Sequence, residues 1–534
     1  MDLLESKTSG TFPFSGGIDS ENKDAKNINV ANKIYGRRLY KDQTSVEYLS
    51  EMLLVFISSK SSDQEEKSNP YSFILPEHGS KYSYHPASGL AVKLFSFFPN
   101  SKLGTRHEVH RKTYIEILEK LKSTVRTGTN SEKDDLVRLL QSVLSGFVGV
   151  GNNRTWVTQS FLPAAEKLIS CEINWKHTAA EASGVADWES SLKYFETNRH
   201  NFMARGGELI FLQLANLFKN YQDLSSNGDV KIYEDRVVDS QEVTKVQSEV
   251  ESGLGEIINA SYNKINVLSK YIENVLDDYE LKGFESNGGG KVGNATLGWI
   301  HKDSWKEALL LAYEIKNITT AVVSDLEKLQ LLQHLLSLHT LRSMCFQSAR
   351  LDDSAVKING FSGNYVWVLA DPRDGADSLM RKMATRNFDQ IENLLYRVLR
   401  GVFINEGGEK FTQAENHGFK IFRKLSKEIG LVIPPKGQEQ RFVLSSDTLR
   451  LLVVALLSPG ERITMDDFYE RVFSHFGIVM GGGQLGQAFE WMGGAEEREY
   501  ESYYKCDWIE DLLKRSGLLI ELSDAVSIVI NPNE

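Results

Sequence analysis

From Val109 onward the apolar residues of this chain recur at steps of three and four, and a chain so patterned must bury helix faces against one another rather than strand faces in a sheet. Tyr114, Ile115, Ile117, Leu118 and Leu121 form one stripe, residues 135–147 a second, and Val322, Leu326, Leu329, Leu332 and Leu336 a third that reads as core or as a helix–helix seam. Residues 163–169, 188–195 and 207–218 continue the pattern, with exposed turns expected at 224–230 and 286–293. Strand signals before residue 440 are few. The best is 365–370, where β-branched and aromatic residues lie between Gly363 and the Asp371–Pro372 turn pair. The fold class is therefore mainly α, a multi-helical body with few strands.

At 534 residues the chain is long enough for roughly three to four domains. The pattern divides it into an N-terminal arm and mixed region (1–100), a helical core (101–350), a strand with a basic helix (351–440) and a C-terminal module (441–534). The first thirty residues, rich in Gly, Ser, Asn and Asp, read as a loop or extended arm lying on another domain or a partner. Residues 45–57 read as a helix, followed by a charged low-complexity loop at 58–69.

Net charge is −11, from 61 Lys and Arg against 72 Asp and Glu, which argues against a protein that coats DNA or an anionic membrane with its whole surface. Cys171, Cys345 and Cys506 are too few and too dispersed for a disulfide framework or a four-cysteine zinc site, and they fit a reducing cytosol. No run approaches the ~18 apolar residues of a membrane span, and the N-terminal stretch lacks the basic-then-apolar order of a signal peptide. A cytoplasmic protein without a membrane partner is expected.

Residues 441–534 carry the most specific pattern. An apolar helix at 447–457 ends at Ser458-Pro459-Gly460. Thr464 then stands three residues before Asp467 as a variant capping box for a helix at 468–476. A turn at 477–483, a short helix at 484–492, a helix at 508–515 and a hairpin at 518–522 and 525–530 follow. Helices closed by a terminal hairpin resemble the winged-helix family. That resemblance places the recognition helix at 484–492 and makes the hairpin the wing, over under a fifth of the chain. A DNA-reading winged helix needs Arg, Lys, Asn or Gln on that helix and cations around it. This one offers Gln484, Gln487, Glu490 and Trp491, in a module of eight Lys and Arg against sixteen Asp and Glu, with Glu496, Glu497, Glu499 and Glu501 next in sequence. Repulsion from phosphate favours a protein-docking winged helix over a DNA reader, with those four helix residues as the partner-binding set.

Positive charge concentrates elsewhere. Residues 101–126 hold Lys102, Arg106, Arg111, Lys112, Lys120, Lys122 and Arg126 against three glutamates. After Pro372, Lys382, Arg386, Gln390, Asn393, Arg397 and Arg400 line one helix face opposite Ala384, Phe388, Ile391, Leu395 and Val398. Arg37, Arg38 and Lys41 make a smaller cluster. Such stripes can hold phosphates at successive turns, so they are the candidate nucleic-acid contacts; the other reading is a solvated face, or one paired with the acidic module.

No motif identifies a catalyst. Residues 15–20 (SGGIDS) match the phosphate-cradling loop of PP-loop ATP pyrophosphatases, without the flanking strand and helix that loop requires. The HEVH run at 107–110 reads as solvated histidines, lacking both HExxH spacing and a third ligand. His334 and His339 read as satisfied core or edge histidines, and Glu314-Ile315-Lys316 as an isolated fragment of a nuclease pattern. No cofactor or metal is implied.

Residues 35–56, 151–163 and 198–208, with the C-terminal module, are similar to uncharacterised bacterial proteins of multi-gene anti-phage defence islands, encoded beside motor ATPases. The resemblance implies a non-catalytic subunit that docks a co-encoded ATPase or nuclease and helps hold DNA. Two alternatives stand beside this adaptor: a direct DNA-binding protein, and an ATP-using enzyme acting through Asp19 of SGGIDS.

Overall fold

The computed structural model describes residues 9–13, 30–36, 39, 43–60, 71–75, 83–84, 90–97, 108–126, 128–144, 147–149, 154–156, 177–191, 206–225, 238–280, 295–373, 378–405, 411–493, 507–522 and 526–532. Seventeen α-helices lie among them, and the strands, mostly two or three residues long, form small sheets. The chain is mainly α, as its three-and-four spacing requires. It folds into two compact units that draw on it alternately: Met1–Lys41, Leu209–Gly253 and Gly298–Glu534 in the first, Asp42–Glu208 and Leu254–Leu297 in the second. The expected 101–350 core is thus shared between the units, and 351–534 belongs to one.

The first unit is built on the helix Asp325–Leu351. Ser324 caps it by accepting the Glu327 N–H, and Asp325 and Glu327 complement the helix dipole. That cap shortens the predicted stripe. Val322 precedes it and is 54% exposed, Leu326 in the first turn is 39% exposed, and burial begins at Leu329. Beyond that point the helix is buried on nearly all sides, packed by Val30–Tyr35, Trp305–Thr320, Ser378–Asn405, Phe419–Glu428 and Ser446–Leu456.

Beside it, Trp367–Val368 pairs in parallel with Ile478–Val479, Ala370 bridges Val443, and Val432–Ile433 pairs with Arg441–Phe442. The predicted strand at 365–370 is therefore real but short, and its partner lies in the segment expected to be a turn. Gly477, at φ +66°, ends the helix Met465–Phe476 in the left-handed conformation and lets the chain enter that strand at once. Asn387 clips the sheet to the helix Ser378–Asn405. Its Oδ1 accepts the Val368 N–H at 2.9 Å and its Nδ2 donates to the Val366 carbonyl at 2.9 Å. Thr11–Phe12 pairs with Ile300–His301, so part of the expected N-terminal arm is a strand seated on its own chain.

In the C-terminal part, Thr464 and Asp467 form the predicted capping box at the start of Met465–Phe476. A strand the sequence reading lacked, Arg462–Thr464, precedes that helix. It joins the hairpin Leu519–Leu522 and Val526–Ile530 in a three-stranded antiparallel sheet with Val526–Ile530 in the centre. Ile463 and Leu519 both pair with the buried Val529, which fixes the inner face.

The second unit holds the helix Ser45–Ile57, with its predicted bounds, where the Glu47 carboxylate accepts the Thr44 N–H at 2.8 Å. Leu90–Phe97, Glu108–Thr124, Asn130–Leu144 and the end of Ser240–Leu276 enclose a core that includes Phe95, Tyr114, Ile117, Leu140 and Ile272. Asn130–Leu144 stops short of Phe147, which the sequence stripe had included. Phe147–Gly149 pairs instead with Arg154–Trp156 as a small hairpin.

Candidate functional site

Three helices of the first unit bring ionisable side chains into its core. Glu307 and Glu314 stand two turns apart on one face of Trp305–Thr320, and His339, Arg342 and Arg350 face them from Asp325–Leu351. Arg342 grips Glu314 in a two-pronged ion pair, Nη1 to Oε1 at 2.6 Å and Nη2 to Oε2 at 2.8 Å, with both side chains fully buried. The same guanidinium donates to the His475 carbonyl at 2.9 Å and to His339 Nδ1 at 2.8 Å. His339 Nε2 in turn donates to Gln213 Oε1 at 2.9 Å, so this imidazole is neutral. Burial, then Arg342, depresses its pKa well below the usual histidine value. His475 Nδ1 donates to Glu314 Oε1 at 2.9 Å. Burial pushes the Glu314 carboxyl up, and Arg342 and His475 more than offset it, leaving the pKa below the usual carboxylate value. Arg350 pairs with Glu307 in the same layer.

Each carboxylate has an arginine, and Glu314 has an imidazole donor besides, so the arrangement ties the packed helices together. Sequence reasoning missed it because Glu314, Arg342 and Arg350 are separated in sequence and meet only when their helices pack. A cavity of about 420 Å³ lies nearby, lined in part by Glu242, Glu249, Tyr313, Lys316 and His475. In that lining Lys316 Nζ lies 3.1 Å from Glu249, and the Tyr313 hydroxyl donates to Glu242 at 2.6 Å. Among the described residues no group of three His, Cys, Asp or Glu side chains is placed to hold a metal ion.

His334, at the edge of the same central helix, has its pKa pushed down to about 4 by burial, with Asp447 opposing. A histidine kept neutral by folding stabilises the native state above its unfolded value near 6.5. That contribution is lost as pH falls toward 4, because the unfolded chain then binds more protons. Discounted for its partly exposed rim, the loss is about 2–3 kcal/mol. Urea titrations at pH 7 and pH 4 should show this fall in the wild type and a smaller one in His334→Gln.

The basic stripe on Ser378–Asn405 is exposed at Lys382, Arg386, Asn393, Arg397 and Arg400, as its spacing predicts. Much of it is already engaged. Arg386 and Gln390 both donate to the Met492 carbonyl at 3.1 Å, Arg397 pairs with Asp352 at 2.7 Å, and Arg400 donates to the Tyr396 hydroxyl at 3.1 Å. In the other unit Arg111 and Lys112 are exposed, while Lys120 pairs with Asp278 and Lys122 with Glu119 and Asp134. His110, expected to be solvated, is instead buried near Ser191 and Trp188. Arg37, Arg38, Lys41, Lys102, Arg106, His107, the SGGIDS loop with Asp19, and Glu496 to Glu501 lie outside the described residues.

The helix Gln484–Met492 is held against the body of its unit. The Trp491 indole donates to the Asn364 carbonyl at 3.2 Å, and Met492 is gripped by Arg386 and Gln390. Gln484 and Gln487 are half-buried, leaving Glu490 as the exposed member of the predicted partner-binding set. The helix that directly precedes the hairpin is Asp507–Arg515. It buries Ile509 and Leu513 and exposes Asp507, Asp511, Lys514 and Arg515. Lys514 is taken up by Glu521 of the hairpin at 2.8 Å, and Glu510 accepts from Ser527 at 2.7 Å. No helix of the described residues is long and apolar enough to cross a membrane. No family model matches the chain, and neither a curated protein nor a solved structure is similar to it.

Proposed function

We propose that this chain is a non-catalytic adaptor subunit of a bacterial cytoplasmic complex, and that residues 441–534 form a winged-helix module that docks a protein rather than DNA. The observation that carries this reading is the helix Asp507–Arg515 seated directly before the wing, with Asp507, Glu510 and Asp511 in its N-terminal half. The strand order, with Arg462–Thr464 added beside the hairpin, is the order that a winged helix uses, and it favours Asp507–Arg515 as the interaction helix. Asp507 and Asp511 then stand where a DNA reader needs cations. The partner in this reading is a co-encoded ATPase or nuclease of an anti-phage defence system.

Asp507→Lys/Asp511→Lys in the full chain should reduce recovery of a stoichiometric partner at least fivefold while leaving the far-ultraviolet circular dichroism unchanged. Full recovery would rule this face out. Exposure of Lys382 and Arg400 favours one second reading, a DNA contact through the basic helix. It requires a steep salt dependence of duplex binding that Lys382→Glu/Arg400→Glu flattens.

A further inference from the structure

The wing itself offers a surface that the acidic helix does not account for. Leu519–Leu522 is the outer strand of the three-stranded sheet, and its register pairs Ile520 with Ile528 and Leu522 with Val526. Side chains alternate along a strand, so Ile520 and Leu522 share the face opposite Leu519 and the buried Val529. That face is open: Ile520 is 36% exposed, Leu522 53%, and Ile528 half-buried. The backbone points the same way. Leu518 accepts the Ile530 N–H at 3.0 Å, so alternation turns the N–H and C=O groups of Leu519 and Glu521 away from Val526–Ile530, toward the edge. An edge strand with apolar side chains and outward-turned backbone groups is a template for strand addition.

Charge selects the occupant. Residues 441–534 carry sixteen acidic against eight basic side chains, and on the elements flanking this edge Asp507, Asp511 and Glu521 are exposed. Lys514 and Glu521 neutralise each other, Arg373 acts on Asp511, and Arg515 is the other cation of the helix. Glu521, with its Lys514 partner, projects from the strand face opposite Ile520 and Leu522, so an added strand meets apolar side chains on one face and polar ones on the other. We infer that the wing edge Leu519–Leu522 binds, by strand addition, an extended segment of a partner protein in which apolar residues alternate with Lys or Arg. This rests on the winged-helix docking reading and deepens it by naming the chemistry of the partner segment.

The test is a fluorescence-anisotropy titration of the full-length chain with a labelled, end-blocked peptide of four Val-Lys repeats, against a Val-Glu repeat of equal length. Hydrogen exchange is followed at residues 519–522. The basic peptide should bind at least tenfold tighter than the acidic one and slow exchange at Leu519 and Glu521. Ile520→Lys/Leu522→Lys, which replaces exposed side chains and should leave thermal unfolding unchanged, should weaken it tenfold or more. Equal binding of both peptides, undiminished binding to the variant, or protection confined to other residues would each overturn the inference. Loss of partner recovery in Asp507→Lys/Asp511→Lys, with no effect of the wing variant on peptide binding, would leave the docking reading standing and remove this inference alone.

Discussion

Arg342→Met should destabilise the first unit by about 3–5 kcal/mol, the range for removing one member of a buried ion pair and stranding the other. The substitution leaves Glu314 fully buried with His475 as its remaining donor, and it also deprives the His475 carbonyl and His339 Nδ1 of theirs. Its cation is also lost from over the Phe476 ring, where the guanidinium carbon sits 4.8 Å from the centroid. Guanidinium unfolding followed by tryptophan fluorescence should show the transition of the unit containing Trp305 and Trp367 move to lower denaturant. Adding Glu314→Gln should recover at least 1 kcal/mol, since a neutral amide is cheaper to bury than an unpaired carboxylate. A loss below 1 kcal/mol for Arg342→Met would mean that the network does not hold these helices together.

The second large effect is expected in the other unit. Gly206 and Gly207 open the helix Gly206–Ser225 where it meets Ser45–Ile57, and a Cβ on Gly207 would lie 2.3 Å from the Tyr48 carbonyl oxygen and 2.6 Å from the Met52 nitrogen. Both are backbone atoms of a buried helix, so no rotamer change relieves the clash. The Gly207 N–H is tied to Glu51 Oε2 at 2.7 Å, which resists retreat. Gly207→Ala should therefore sit at or above the upper end of overpacking penalties, about 3 kcal/mol. Gly255→Ala, in an open position on the helix Ser240–Leu276, should be neutral or slightly stabilising by helix propensity. Thermal melts of the two variants compare them directly, and equal melting temperatures would contradict the close crossing.

Local chemistry made several elements legible in the sequence. Ser45–Ile57 follows from apolar spacing, Met465–Phe476 from the reciprocal Thr464 and Asp467 bonds, and the terminal hairpin from its β-branched runs around Ser523–Asp524. Features that depend on distant residues were not legible. Ile478–Val479 reads as part of a glycine-rich turn until Trp367–Val368 is placed beside it. Glu314 and Arg342 read as ordinary polar positions until His475 and Gln213 arrive from other helices. The glycine pair at Gly206 was visible within the stretch 198–208, but the reason for it, contact with Tyr48 and Met52, belongs to the fold. Gln484–Met492, short and capped by glycines, reads as an interaction helix from its pattern alone. Its side chains are used internally, and the sequence order alone does not show that.

The most direct measurement is purification of the full chain through a tag from its native context, with partners identified by mass spectrometry, their stoichiometry by native mass, and nucleic acid by the ratio of absorbance at 260 and 280 nm. A docking winged helix predicts a fixed-stoichiometry protein partner and an absorbance ratio typical of protein alone. Recovery of the chain without a partner but loaded with nucleic acid would contradict it, and would return the basic helix Ser378–Asn405 to the centre of the account.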